Sequence, residues 1–353
     1  MTCFGGDAYD ALFGMGASRQ RADFTLNRRM AFALSAAVVV SASAGVLAQK
    51  KDDKKLSDAE KREVQSVVKI VDDVVAGQPA PDDFEVEWVR EDFLKAEDQK
   101  AYVAFTVTID TSKITGGNLS LFWRVTKTGT AAPVAHQDVS FAPVSAGSAS
   151  LRVSRSFTVP AGTYDVVVAA KEPSPSGKTT TPPKASLLRR TLTVPDFWNG
   201  ELSTSSVIVV QRIDSLPAPL PSDQQVDRPY AMGTMELVPG WDTRFPKKSE
   251  LETFFLIYNP RTDDATKPNV TVEYTFYTSA GGGTKVFAKT RPVALNAQTL
   301  QRFDVAAGDQ LQAGRIIPLA SFPEGDYRLE IMITDKIANK SLTRDVNFTV
   351  TAP

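Results

Sequence analysis

Pro160-Ala-Gly-Thr-Tyr164-Asp-Val-Val-Val168 has a second form later in the chain, Pro323-Glu-Gly-Asp-Tyr327-Arg-Leu-Glu-Ile331. In each, proline and glycine set a turn, a tyrosine follows two residues after the glycine, and an apolar or alternating run begins. A matching run comes after each: Ser186-Leu-Leu-Arg-Arg-Thr-Leu-Thr-Val194, then Ser341-Leu-Thr-Arg-Asp-Val-Asn-Phe-Thr-Val350. Alternation at a period of two marks half-buried strands. One hairpin plan has therefore been used twice, with a longer loop in the first copy. That predicts a mainly β protein of two sandwich domains in tandem.

The totals agree with this. A chain of 353 residues suffices for two domains of ordinary size, and 42% hydrophobic with 23% charged residues is a globular composition. A formal charge of −1 recommends neither nucleic acid nor an anionic membrane as a partner. One histidine, His136, and one cysteine, Cys3, nearly empty the inventory of soft metal ligands and common catalytic groups.

Residues 1–48 read as a signal peptide. Arg19, Arg21, Arg28 and Arg29 precede the apolar run of residues 31–40, and small residues lead to Val46-Leu-Ala48, the order of a leader cut after Ala48. Residues 1–14 have no such character, which points to Met15 as the start. The alternative is an uncleaved anchor, since residues 31–48 approach the length of a membrane span. Cleavage removes Cys3 and leaves a mature chain with no cysteine, no disulfide and no membrane span. The expected location is extracytoplasmic, periplasmic or secreted.

Residues 49–80 hold a charged linker and one amphipathic helix. Ser57-Asp-Ala-Glu60 is a capping box, and Val64, Val67, Val68, Val71, Val74 and Val75 recur at helical spacing until Gly77 and Pro79. Valine is a poor helix former, so this face must pack on the first sandwich or grip a partner or a second copy of the chain.

Residues 81–195 form the first sandwich. Residues 84–88 and 102–109 alternate as strands, and Leu121, Trp123 and Val125 share a face on about the third strand. A tryptophan there resembles the core tryptophan of immunoglobulin-like domains, without their cysteines, and Tyr164 and Tyr327 resemble the tyrosine corner of that fold. The expected architecture is thus two immunoglobulin-like β-sandwiches. His136 reads as a solvated residue of a Pro/Ala-rich loop, and residues 171–184 as a polar hairpin loop.

Residues 196–353 form the second sandwich, with a proline-stiffened excursion from Leu216 expected to cover a sheet edge. Residues 203–213, 232–239, 254–259 and 323–350 together resemble the β-rich portion of GWxTD-type secreted bacterial proteins. Gly240-Trp-Asp-Thr-Arg244 has four of the five signature letters but lacks the final aspartate. The resemblance implies a secreted envelope protein and no particular chemistry.

No catalytic, cofactor-binding or metal-binding constellation emerges. A Ser/His pair would need a supported histidine, zinc would need clustered His and Cys, and Gly281-Gly-Gly283 lacks the Lys-Ser/Thr of a phosphate loop. Asp82-Asp83 and Asp263-Asp264 are acidic pairs in turns without the alternating ligands of a calcium loop. Trp241 with Arg244 and Phe245 is the one candidate binding cluster. The expected function is a non-catalytic binding or scaffolding protein of the bacterial envelope whose partner is another envelope protein. A glycan binder using loop aromatics is the alternative, and a hydrolase whose carboxylates converge only in space is the second.

Overall fold

The computed structural model describes residues 56–114, 117–129, 134–145, 147–175, 182–278, 284–300, 303 and 310–352. The leader, the charge run at 50–55, the turn at 281–283 and the middle of the 171–184 loop lie outside the described residues. The fold is mainly β and groups into two compact units. One runs to Asp196 and takes in Pro221–Pro229; the other comprises Phe197–Leu220 and the chain from Tyr230 onward.

In the first unit, β1 (Val86–Lys95), β2 (Lys100–Asp110) and β5 (Ser150–Pro160) make a sheet in the order β1-β2-β5. The other sheet has β3 (Gly117–Lys127), β4 (Val134–Val144), β6 (Gly162–Lys171) and β7 (Ala185–Val194) in the order β4-β3-β6-β7. Every pairing is antiparallel. The chain makes one hairpin, crosses for the second, returns for β5 and crosses again for β6–β7, the Greek-key connectivity of immunoglobulin-like domains. Alternation turns Val103, Phe105 and Val107 of β2 and Leu121, Trp123 and Val125 of β3 inward, where all six are buried. The Trp123 ring meets Phe105 edge-on at 6.0 Å.

Two strands depart from the sequence expectation. β1 continues to Lys95 through a register shift between Trp88 and Arg90, and such a bulge breaks the alternation a reader follows. β4 contains His136, which is therefore not in a loop. Its inward face carries His136, Asp138, Ser140 and Ala142, and a strand with polar residues on its core side reads as a loop.

Helix α1 (Asp58–Val75) starts at the expected capping box: the Glu60 amide donates to Ser57 Oγ, and the Ser57 amide donates to Glu60 Oε2. Val67 and Val71 are buried against Phe122, Val167 and Ala169, with Val68, Val139 and Leu187 packed around them. These partners lie on the outward face of the four-stranded sheet. The valine face that could have gripped a partner is thus taken by the chain's own sheet, and only Val75 points away from it, 63% exposed.

Polar contacts pin the helix at both ends. Lys171, 1% exposed, donates to Glu63 Oε2 (2.6 Å), the Glu172 carbonyl (2.9 Å) and Ser174 Oγ (3.1 Å). A buried ammonium is tolerated only with such saturation. Further along, Arg124 pairs with Asp72 at 2.7 Å, and Arg189 donates to the Val74 carbonyl at 3.0 Å, capping the helix C-terminus with a cation. Burial raises the pKa of Glu63, but hydrogen bonds from Lys171 and Ser174 outweigh it, and the carboxyl titrates below its ordinary range. Its stabilising contribution is present above the unfolded carboxyl pKa and fades as pH falls through the lower folded one.

The second unit repeats the plan with additions. Its first sheet orders β10 (Ala231–Met232), β11 (Met235–Pro239), β9 (Ile208–Ser215), β13 (Glu250–Tyr258) and β17 (Leu311–Pro318), with β8 (Ser203–Thr204) beside β13. The other orders β12 (Arg244–Pro246), β19 (Lys340–Thr351), β18 (Gly325–Asp335), β14 (Val270–Thr278) and β15 (Lys285–Lys289), with β16 (Val293–Leu295) beside β14. β9-β13-β17 answers to β1-β2-β5, and β15-β14-β18-β19 to β4-β3-β6-β7. The core is aromatic: Phe322 lies 5.2 Å from Phe276, 4.8 Å from Phe287 and 5.3 Å from Tyr327.

Both copies of the opening motif build the same corner. Gly162 (φ 149°) and Gly325 (φ 140°) take backbone angles that side chains disfavour. Each tyrosine then reaches back over its turn: Tyr164 Oη donates to the Pro160 carbonyl at 3.0 Å, and Tyr327 Oη to that of Pro323 at 2.8 Å.

The proline-stiffened excursion does not stay with the second sandwich. Its far part, Pro221–Pro229 with the short helix α2 (Ser222–Gln225), belongs to the first unit. There Tyr102 Oη donates to the Pro229 carbonyl (3.1 Å) and Asp227 pairs with Arg155 (3.3 Å).

Three substitutions test this packing by urea unfolding. Val71→Ala removes a buried side chain worth about 1.5–3 kcal/mol and gains about 0.5 kcal/mol of helix propensity, so the first unit should lose about 1–2 kcal/mol. An α1 that stood off its sheet would instead be stabilised by the change. Tyr164→Phe and Tyr327→Phe should each cost about 1 kcal/mol, rising to about 3 where the stranded carbonyl is shut off from water.

Candidate functional site

Trp241, Arg244 and Phe245 lie where the chain leaves β11 and enters β12. Asp242 Oδ1 accepts from the Arg244 amide at 2.8 Å, an Asx turn that aims the next residues along β19. β12 then pairs with β19 in parallel, Phe245 opposite Val350. Phe245 is half-buried and meets Phe348 edge-on at 6.3 Å, so it belongs to the core. Trp241 is half-buried and Arg244 exposed. The three residues are close in sequence, and Arg244 is the exposed one of them. The tryptophan that shows more of its surface is Trp198, 43% exposed.

A cleft of about 540 Å³ lies at one end of the second sandwich, lined by Gly200, Asn259, Arg261, Asp335, Ile337 and Lys340 among others. Its polar groups hold one another. Asp335, 1% exposed, accepts from the Arg261 amide (2.6 Å) with one oxygen and from the Ile337 (2.9 Å) and Ala338 (3.1 Å) amides with the other. Asn259, at φ 54°, donates to the Phe197 and Glu201 carbonyls at 2.9 Å each. Lys340 pairs with Glu201. These bonds tie the loop after β13, the turn between β18 and β19, and the start of the unit into one knot.

One aspartate of each acidic pair holds backbone amides. Asp83 Oδ2 accepts from the Ala185 amide at 2.8 Å, and Asp263 Oδ1 from the Ala265 (3.0 Å) and Lys267 (2.8 Å) amides. Among the described residues, no three or more His, Cys, Asp or Glu side chains converge as a metal site.

His136 stands in the most unusual surroundings. Its imidazole lies 6.4 Å from the Trp123 ring and 6.0 Å from Phe157, inside the first sandwich. His136 is half-buried as a residue, but its Nε2 and Trp123 Nε1 are both buried with no hydrogen-bond partner among the described residues. Burial pulls the histidine below its ordinary 6.5, and Asp138 only partly opposes this. On β5 across the interior, Arg155 donates through Nε to Ser140 Oγ (3.0 Å) and through Nη1 to the Ser154 carbonyl (2.7 Å).

The groups that sequence reading overlooked are Lys171, Arg155 and Asp335. Arg155 left a signal, since it shares the inward parity of Val153, Phe157 and Val159. Lys171 ends an unbroken apolar run, where a lysine at a strand end normally reads as solvated.

No family model matches the chain, and no curated protein matches it. Among solved structures, it is similar to the native conformation of E. coli alpha-2-macroglobulin determined by cryo-EM, at 11% identity and a TM-score of 0.29. The match covers 76% of this chain and 25% of that one, so the chain spans about a quarter of that protein's length. The fold assignment rests on strand order and register.

The knot at the cleft makes a specific demand. Asp335→Ala strands three amides, and the second unit should lose about 2–3 kcal/mol in urea unfolding. An unchanged midpoint would mean that those amides find other acceptors and that the cleft is not held by this residue.

Proposed function

We propose that this chain is a non-catalytic binding or scaffolding protein of the bacterial cell envelope, exported with its leader removed near Ala48. The observation that carries this reading is where the chemistry-bearing side chains are engaged. Lys171 holds Glu63, Arg155 holds Ser140 and Asp227, Asp335 holds three amides, and both corner tyrosines hold carbonyls. What the two sandwiches offer outward is strand edges and loops, through which such modules add a strand or contact a partner. The order of basic, apolar and small residues in 1–48 supports export, as does the resemblance to GWxTD-type secreted proteins. Among the described residues, no helix is long and apolar enough to cross a membrane.

The partner on this reading is another envelope protein. Docking through the valine face of α1 is disfavoured, because that face already packs on β3 and β6. A glycan is the second reading, favoured by the position of Trp241 beside the exposed Arg244.

Cross-linked pull-down from the native envelope tests both. The full mature chain should recover a protein partner, and Trp241→Ala should recover it equally. Saturable glycan binding lost in Trp241→Ala would move the assignment to the second reading. Hydrolytic turnover lost on changing one acidic pair would overturn both.

A further inference from the structure

We propose that His136 is an acid-sensitive latch: protonation of its imidazole drives β4 away from β5 and releases the segment Pro221–Pro229, while the second sandwich stays closed. The geometry carries this. β4 and β5 lie at the edges of their two sheets, on the side of the sandwich where no described strand closes the gap. Apart from the chain that runs from Val144 to Ser150, side chains bridge that gap, and His136 is among them.

An imidazolium has two N–H donors that both need acceptors. Nε2 is buried and faces none among the described residues. From β3 the imidazole meets Trp123, whose indole nitrogen is itself a donor, and from β5 it meets Phe157. The charged groups on this side are Asp138 on β4, Arg155 on β5 and Asp227 on the released segment. Asp138 interacts with both His136 and Arg155, and its Oδ1 accepts from the Val139 amide at 2.7 Å. Asp227 is paired with Arg155, a fixed cation. The other nearby pair, Arg124 with Asp72, lies across the sheet under α1. A proton here places charge on an imidazole whose Nε2 has no acceptor among the described residues, and burial against Trp123 and Phe157 disfavours that charged form more than Asp138 favours it. The strand relieves this by turning the imidazole out to water. That motion breaks the contact of Ser140 with Arg155, one of the bonds that fix the guanidinium paired with Asp227.

The sign follows. A histidine whose folded pKa lies below its unfolded value leaves the fold unaffected at neutral pH. It destabilises the closed state as pH falls below the unfolded value and on through the folded one. Each unit between the two pKa values corresponds to about a tenfold change in the opening equilibrium. The second sandwich contains no histidine and has no such response near neutrality.

Because the chain has one histidine, its imidazole signal in NMR reports this site alone. In the full mature chain the signal should titrate with a midpoint below 6.5, and Asp138→Asn should move that midpoint lower. Hydrogen exchange of the same protein at about pH 7.5 and about pH 5, corrected for intrinsic rates, should lose protection over Val134–Val144 and Pro221–Pro229 in acid. Gly325–Asp335 should keep its protection. His136→Phe, which retains the ring stack and cannot titrate, should abolish the difference. A midpoint at or above 6.5, equal protection of Val134–Val144 at the two pH values, or an acid response that persists in His136→Phe would each overturn the proposal.

Discussion

Both faces of the sheet β4-β3-β6-β7 are covered, and much of the first unit follows from that constraint. One face closes the sandwich; the other receives α1. A sheet buried on both sides needs apolar residues at successive positions rather than alternate ones, which is why Val166 through Ala170 are all buried. The helix is in turn made of residues that would not sustain it alone, because β-branched valines favour sheets. Helix and sheet depend on each other.

Covering the second face also creates a problem of charge. A strand that passes from covered to open surface must place its first polar residue at the rim, and Lys171 sits there under the N-terminal half of α1. Glu63 meets it from the helix, as Asp72 meets Arg124 further along. The apolar contact sets how closely the helix lies, and the ion pairs set where along its axis it stops. Such pairs add specificity of register more than net stability.

The start of α1, the duplicated corners and the alternating strands were legible in the chain because each expresses a short-range rule. A capping box spans four residues, a tyrosine corner five, and an alternating strand fewer than a dozen. β4 was not legible, because His136, Asp138 and Ser140 occupy the positions where the period-two rule looks for apolar residues. Their partners, Trp123, Phe157 and Arg155, come from other strands, and only the fold brings them together. The same holds for the candidate cluster. Trp241, Arg244 and Phe245 are neighbours in sequence, but Phe245 turns inward because β12 aligns with β19, a pairing more than a hundred residues away. Asp335 was hidden for a different reason: an aspartate at a hairpin end normally means a solvated turn, and its burial depends on the loop that follows β13.

The membership of Pro221–Pro229 in the first unit has a consequence for how the protein comes into being. A chain is made from its N-terminus, and domains generally begin to fold as they emerge. The first sandwich has all seven of its strands once Val194 is out, yet Tyr102 and Arg155 still await Pro229 and Asp227. More than thirty further residues, most of them of the following unit, must be synthesised before those contacts can form. The nascent N-terminal domain is therefore complete in topology but unfinished along β2 and β5 for that interval. A protein cut at the junction between Asp196 and Phe197 would stay permanently in that earlier condition.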